Sequence, residues 1–414
     1  MSQQGPIIIV SSAQRPPFAS TLDDAKMFPV IDANWADASR AVEALQPAAV
    51  LVAMSEAAEP GLEALARQIA AQQPYLPLIA IDPRTNSNTS LPENAIPFAQ
   101  TGGNFDRLTA RLRASLRVRA LHATLMRRLK EVSALPTLLS DTDPTRDATV
   151  LLIGRGEAYP ALSVALGERI GVVGALSIEA AAKHLNVRDI DGIVLGEGFS
   201  PRVVDAFLMV LAEDARFRNL PVVLTSVGSL PAYDLPNLEA ISGEPARIAA
   251  NALPLIRQHA FETHLSRTLR SIDAGGLLDA QTGLLTPAAF DRDFATAVYQ
   301  TLSRGGGLSM ARFAFDPDHK RAQLDGARIL SRLMRQMDFG TAHSDGSVVV
   351  AFAETDLRSA HMIARRLCSV MRHTSNGGRD ARSEPAVTVA TLLPSDSAKS
   401  LLARLDDEAR RAAS

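Results

Sequence analysis

Three short apolar runs near the start of the chain return, in the same order, in its middle third. Ile8-Ile9-Val10 comes back as Leu151-Leu152-Ile153 and Val50-Leu51-Val52 as Ile193-Val194-Leu195, both 143 residues on. Leu76-Pro77-Leu78-Ile79 comes back as Leu220-Pro221-Val222-Val223, 144 residues on. A near-constant offset across three runs marks two copies of one structural unit. The runs are continuous rather than alternating, as in strands buried on both faces of a parallel sheet. Between them, residues 36–45, 61–71 and 203–212 are amphipathic and read as helices. Alternating strands and helices predict a doubly wound α/β fold in each copy. The boundaries follow: residues 1–125 for the first copy, 126–147 for a helical extension and linker, 148–268 for the second copy, and 273–414 for a different C-terminal domain.

At 414 residues the chain is too long for one core. Its 43 basic and 45 acidic residues give a net charge of −2, which offers no bulk attraction for nucleic acid or a membrane surface. The single cysteine, Cys368, cannot form an internal disulfide and reads as a small core residue. No apolar run approaches the roughly 20 residues of a membrane helix, and Met1 to Gly5 lack the pattern of a signal peptide. A cytoplasmic protein is the expectation. Residues 105–134 carry a basic run of Arg107, Arg111, Arg113, Arg117, Arg119, Arg127, Arg128 and Lys130, which reads as the solvated face of a connecting helix. Aromatics for base stacking are absent there, which disfavours a nucleic-acid stripe. The polar segment 141–147, with Pro144, reads as the linker.

Each copy resembles the receiver domain of two-component response regulators, without its chemistry. That family holds Mg²⁺ with acids after the first strand, accepts a phosphoryl group on an Asp ending the third, and places a Lys after the fifth. Here those positions hold Ser11-Ser12, Ala53 and Phe98-Ala99-Gln100 in the first copy, and Gly154-Arg155, Gly196 and Glu244 in the second. A register shift of one would bring Glu197 to the acceptor position. Thr225 matches the family's hydroxyl position and reads equally as a strand-end hydroxyl. The resemblance therefore implies two tandem receiver-like (flavodoxin-like) pseudo-receivers that serve dimerisation and partner docking.

From Asp273 onward the chain resembles the GGDEF domain of diguanylate cyclases. Asp279-Ala280-Gln281-Thr282-Gly283-Leu284-Leu285-Thr286-Pro287-Ala288-Ala289-Phe290 is similar to that family's opening motif, and 308–315 followed by Asp316-Pro317-Asp318-His319 is similar to its D-x-D-H strand end. Receiver, receiver and GGDEF in this order resemble PleD-type regulators. The resemblance implies a degenerate active site. Asp316 remains as a remnant metal ligand, but the hairpin reads Ser344-Asp345-Gly346-Ser347-Val348, without the paired glycines or the metal-binding acid. Asp345 could act as a substitute ligand. Asp316 lies 19 residues before Arg335, where the family has about a dozen more, carrying its guanine-reading groups, and Ala413 stands where it has a phosphate-contacting Lys. No catalytic residue, metal or cofactor is therefore expected.

What the resemblance retains is Arg335-Gln336-Met337-Asp338, five residues before the hairpin, where the family binds its product cyclic di-GMP. An Arg and an Asp three apart at a helix end share a face. The Arg can take guanine O6 and N7 as a fork, and the Asp can accept from the N1–H and N2–H₂ edge. Arg366, or Arg365 beside it, would complete the site on the next helix, and Arg304 lies where a further Arg can close over the ligand. The bland alternative for Arg335 and Asp338 is a surface ion pair. The resemblance implies a non-catalytic cyclic di-GMP effector, homodimeric, recruiting a protease adaptor and the cell-cycle regulator CtrA for proteolysis at the cell pole. The alternatives are a ligand-independent scaffold and a residual cyclase.

Overall fold

The computed structural model describes residues 5–12, 15–26, 29–54, 61–82, 91–100, 105–131, 147–225, 233, 235–371 and 385–413. The chain divides into two compact units, residues 1–181 with 190–265, and residues 182–189 with 266–414. The linker residues 141–146 and the Lys130 side chain lie outside the described residues.

The first copy runs β1 (Ile7–Val10), α1 (Phe18–Asp24), β2 (Val30–Ala33), α2 (Ala38–Leu45), β3 (Ala49–Ala53), α3 (Leu62–Ala70), β4 (Leu78–Ile81), β5 (Ala95–Phe98) and α4 (Leu108–Glu131). The second runs β6 (Thr149–Ile153), α5 (Tyr159–Gly167), β7 (Gly171–Ala175), α6 (Ile178–Val187), β8 (Gly192–Leu195), α7 (Pro201–Glu213), β9 (Val222–Leu224), β10 (Leu238–Ala240) and α8 (Pro245–Asp273). Both sheets are parallel, ordered β2-β1-β3-β4-β5 and β7-β6-β8-β9-β10. Counted within each copy this is 2-1-3-4-5, the flavodoxin-like order. The three repeated runs supply the central strands, and Ile8, Val50 and Val194 are fully buried as their continuous apolar character predicts.

Both sheets belong to the first unit, and one apolar cluster joins Ile9, Leu51 and Phe98 of the first copy to Leu152, Val194 and Ile256 of the second. This corrects the reading of the basic run on α4 as a solvated face. Arg111 is fully buried. Its Nη2 donates to Glu239 on β10 at 2.7 Å, its Nη1 to the Pro97 carbonyl at 2.9 Å and its Nε to the Pro236 carbonyl at 2.8 Å. Arg107 reaches the same Glu239 oxygen at 3.2 Å, and Arg117 holds both oxygens of Glu262 on α8 at 2.8 and 3.1 Å. Arg119 donates to the carbonyls of Pro74 and Tyr75. Half the helix is thus an internal seam whose carboxylates come from the other copy. Arg113 and Arg127 are exposed, as anticipated.

The C-terminal part of the second unit runs α9 (Pro287–Arg304), β11 (Leu308–Ala314), α10 (Lys320–Leu333), β12 (Phe339–Ala342), β13 (Val348–Ala353), α11 (Leu357–Met371), β14 (Ala386–Thr391) and α12 (Ala398–Ala413). Its sheet is antiparallel, ordered β12-β13-β11-β14. Along β11, Ala311 and Phe313 pack towards α10 and α11, while Leu308 and Met310 pack with Phe290 and Phe294 of α9 and Leu401 and Leu405 of α12. This alternation covers both faces with helices. Cys368 is buried and in no disulfide, as expected of a core residue. Among the described residues, no helix is long and apolar enough to cross a membrane.

Candidate functional site

The strand register of the third sheet sorts the candidate residues into two groups. Leu308, which opens β11, pairs with Ala353, which closes β13, and Phe313 pairs with Val348 at the other end. The hairpin 343–347 and Asp316 therefore lie beyond one end of the sheet. Arg335-Gln336-Met337-Asp338, which leads into β12, lies beyond the other, as does Arg304, joined to Leu308 by Gly305-Gly306-Gly307. Seven residues of β11 separate the two ends, a span of about 20 Å.

The Arg335–Asp338 segment is not the continuation of a helix face that the spacing suggested. Helix α10 stops at Leu333, and Met334 is extended, with ψ at 147°. The next four residues form a tight turn closed by the Asp338 N–H on the Arg335 carbonyl at 3.0 Å. A turn brings its first and fourth residues together as a helix would, so the pair is kept by a different local geometry. Asp338 is only 8% exposed. Its Oδ1 accepts from the Ala353 N–H at 3.2 Å, which fixes the carboxylate against the end of β13. Burial raises its pKa above the ordinary aspartate value, against the opposing pull of the Arg335 and Ala353 N–H groups and the Arg335 charge. Arg335 itself is exposed, and its guanidinium has no hydrogen-bond acceptor among the described residues. A fixed carboxylate beside an exposed fork is a surface for a planar ligand carrying both donors and acceptors.

Arg366 is exposed on α11, as is Arg365. Helix α11 begins at the Asp338 end of the sheet and runs away from it, so Arg366, nine residues past Leu357, lies about 13 Å along its axis. Arg304 is exposed in the last turn of α9. The structure thus gathers Arg335, Asp338 and Arg304 at one end and sets Arg366 down the neighbouring helix.

At the opposite end both remnant acids are occupied. Asp345 pairs with Arg312 of β11 at 2.6 Å, and its Oδ1 accepts from the Ser347 N–H and hydroxyl at 2.9 and 2.7 Å. Burial pushes its pKa up, but Ser347, Arg312 and His343 together hold it below the usual value. Arg312 also pairs with Asp406 of α12. Asp316 accepts from the Asp318 N–H at 3.0 Å and pairs with His319 at 2.9 Å. Gln323 of α10 crosses from the Asp316 carbonyl, at 3.1 Å, to the hairpin. A Cβ added at Gly346 would lie 2.2 Å from its amide carbon. Among the described residues, no cluster of three or more His, Cys, Asp or Glu could hold a metal ion.

Sequence reasoning missed Arg312 and Gln323. Arg312 had a visible signal, as a lone charge in an otherwise uncharged strand, Leu308–Ala314. It also missed Arg188, which the structure assigns to the second unit. Arg188 donates to Asp325 of α10 at 2.7 Å and to the Val370 carbonyl of α11 at 3.2 Å, tying these two helices together. In the second copy, β8 ends at Leu195, which leaves Gly196 and an exposed Glu197 beyond it, and the Thr225 hydroxyl meets the Leu195 carbonyl at 3.4 Å.

No protein-family model and no curated protein matches the sequence. Among solved structures, a sensory box/GGDEF family protein from Caulobacter crescentus is similar at 20% identity over 33% of this chain and 96% of that one, with a TM-score of 0.28. The GGDEF domain of FimX from Pseudomonas aeruginosa is similar at 19% identity over 33% and 94%, with a TM-score of 0.29. The coiled coil and GGDEF domain of DgcB from Caulobacter crescentus, solved in complex with c-di-GMP, is similar at 17% identity over 34% and 83%, with a TM-score of 0.28.

Proposed function

We propose that this chain is a cyclic di-GMP-binding effector without cyclase activity, of the PleD-type receiver–receiver–GGDEF arrangement and nearest in kind to the PopA-like effectors. One observation carries the reading: Arg335 and Asp338 share one turn, with the carboxylate fixed by Ala353 and the guanidinium exposed. Such a pair suits a guanine, whose O6 and N7 take the fork and whose N1–H and N2–H₂ edge meets the carboxylate. Arg366 supplies a third contact, and Arg304, at the same end of the sheet, closes over the ligand. The lost chemistry supports the non-catalytic half. A cyclase holds its metals between the Asp316 strand end and the hairpin, and here His319 and Arg312 occupy the acids while Gln323 reaches across from α10. Removing one electrostatic group from an active site costs roughly 10²–10³ in rate, and here several are gone together. The two 2-1-3-4-5 copies act as pseudo-receivers in a homodimer. Ligand binding favours one dimer arrangement and presents a surface to a protease adaptor and the CtrA-type regulator at the cell pole.

Titration calorimetry with cyclic di-GMP and, separately, with GTP and Mg²⁺ tests this on the wild type and Arg335→Ala. The expected result is saturable dinucleotide binding, weakened in the variant by about 1.5–3 kcal/mol, the worth of hydrogen bonds to a charged group, with no GTP turnover. Absence of binding to the wild type supports a ligand-independent scaffold instead, and turnover of GTP overturns the reading of the hairpin.

A further inference from the structure

In the first unit, α3 of the first copy and α8 of the second wall a cavity of about 460 Å³, a size within the range of small-molecule sites. From α3 it is lined by Ala66 and Ala70, four residues apart and so on one face, whose short side chains leave the space open. From α8 come Pro254, Gln258 and Phe261, at i, i+4 and i+7. Tyr75 completes an aromatic wall, with its ring 5.6 Å from that of Phe261 and tilted by 59°. His122 of α4 sets its ring edge-on to Phe261 at 5.3 Å, and its Nδ1 accepts from the Tyr75 N–H at 2.9 Å. The wall is thus held in place without a ligand, which lowers the ordering cost of binding one.

The lining carries two acids, Glu63 and Glu93, and two arginines, Arg67 and Arg257, so its charges cancel. Arg257 pairs with Glu93 at 2.7 Å, and the Arg67 Nε donates to the Glu63 carbonyl at 3.3 Å. The Glu93 side chain is 69% exposed, which places that ion pair towards solvent. Gln258, by contrast, is buried, and its Nε2 donates to the Tyr75 hydroxyl at 3.2 Å. The bond leaves the Tyr75 O–H as a donor and the Gln258 carbonyl as an acceptor, side by side. Neither has a further partner among the described residues. Burial pushes the Tyr75 pKa up, so the hydroxyl keeps its hydrogen. Buried polar groups are normally paired, and this adjoining donor and acceptor call for a complement.

We propose that this cavity binds a small, uncharged, planar ring with a lactam edge. The ring lies against Tyr75 and Phe261, its carbonyl accepts from the Tyr75 O–H, and its N–H donates to the Gln258 carbonyl. A charged ligand gains little from a lining whose charges are already paired. Because the walls come from both copies, an occupant binds their packed arrangement and stabilises it. The seam between the copies thereby takes a small-molecule input that needs no phosphoryl-accepting group.

The test is a ligand-detected NMR titration of the full chain with quinazolin-4-one, a bicyclic lactam, and with its 3-methyl derivative, which lacks the N–H. Quinazolin-4-one should saturate the wild type with a Kd of about 1 mM, as suits a ligand of this size. The 3-methyl derivative should bind at least about tenfold more weakly, since a site built to pair an N–H rejects the analogue without it. Gln258→Leu should erase that difference by weakening the parent lactam. Ala70→Trp, at an exposed position of α3, should block both probes by filling the space without disturbing the core. No saturable binding of quinazolin-4-one to the wild type, equal binding of the two probes, or wild-type binding by Ala70→Trp would each overturn the proposal. The cyclic di-GMP reading concerns the other unit and stands or falls separately.

Discussion

At the scale of single residues, Asp338 decides the most. A protonated carboxyl keeps one accepting oxygen but turns an O–H towards the second guanine donor, so paired bonds to N1–H and N2–H₂ require the charged form. Burial raises the Asp338 pKa above the ordinary aspartate value of about 3.9. Affinity should therefore fall as the pH drops through that raised value, earlier than for an exposed aspartate. The stability sign is opposite. The folded state holds this proton more tightly than the unfolded chain, so the cost of the buried charge is present above the folded pKa and is relieved as the pH falls through it. Asp338→Asn keeps an acceptor for the Ala353 N–H and removes the charge. It should be at least as stable as the wild type towards urea at neutral pH, yet bind cyclic di-GMP weakly and with a flatter pH dependence. A variant that binds as the wild type does would remove Asp338 from the site.

At the scale of elements, the α4 seam shows what sequence patterns leave out. Continuous apolar runs made the central strands legible, and motif spacing marked Arg335, Asp338 and Arg366. The burial of Arg111 was not legible, because its partner Glu239 lies 128 residues on, in a three-residue strand with no distinguishing pattern. Likewise the spacing of Arg335 and Asp338 did not reveal that a turn, rather than a helix face, pairs them, since both geometries bring residues three apart together. Buried ion pairs lose most when one partner is removed. Arg111→Met should therefore cost about 3–5 kcal/mol in urea unfolding, since Glu239 stays behind with Arg107 as its remaining ion-pair partner. Replacing both, as Arg111→Met with Glu239→Leu, should recover most of the loss. Equal stability of the single variant and the wild type would show that the seam does not rest on this charge.

At the scale of the whole molecule, the chain holds two flavodoxin-like copies in one unit and places the candidate ligand turn in the other. Within that second unit, the proposed ligand turn and the hairpin 343–347 lie at opposite ends of one sheet. Under the proposed function, loss of catalysis at the hairpin end leaves the ligand turn undisturbed. Arg188 adds a mechanical element, since its contacts with Asp325 and Val370 clamp α10 to α11. The most direct measurement is hydrogen–deuterium exchange of the full chain with and without cyclic di-GMP. Slowed exchange at residues 335–338 and along α11, with residues 343–347 unchanged, is the predicted footprint. Protection confined to residues 343–347, or none anywhere at saturating ligand, would contradict it.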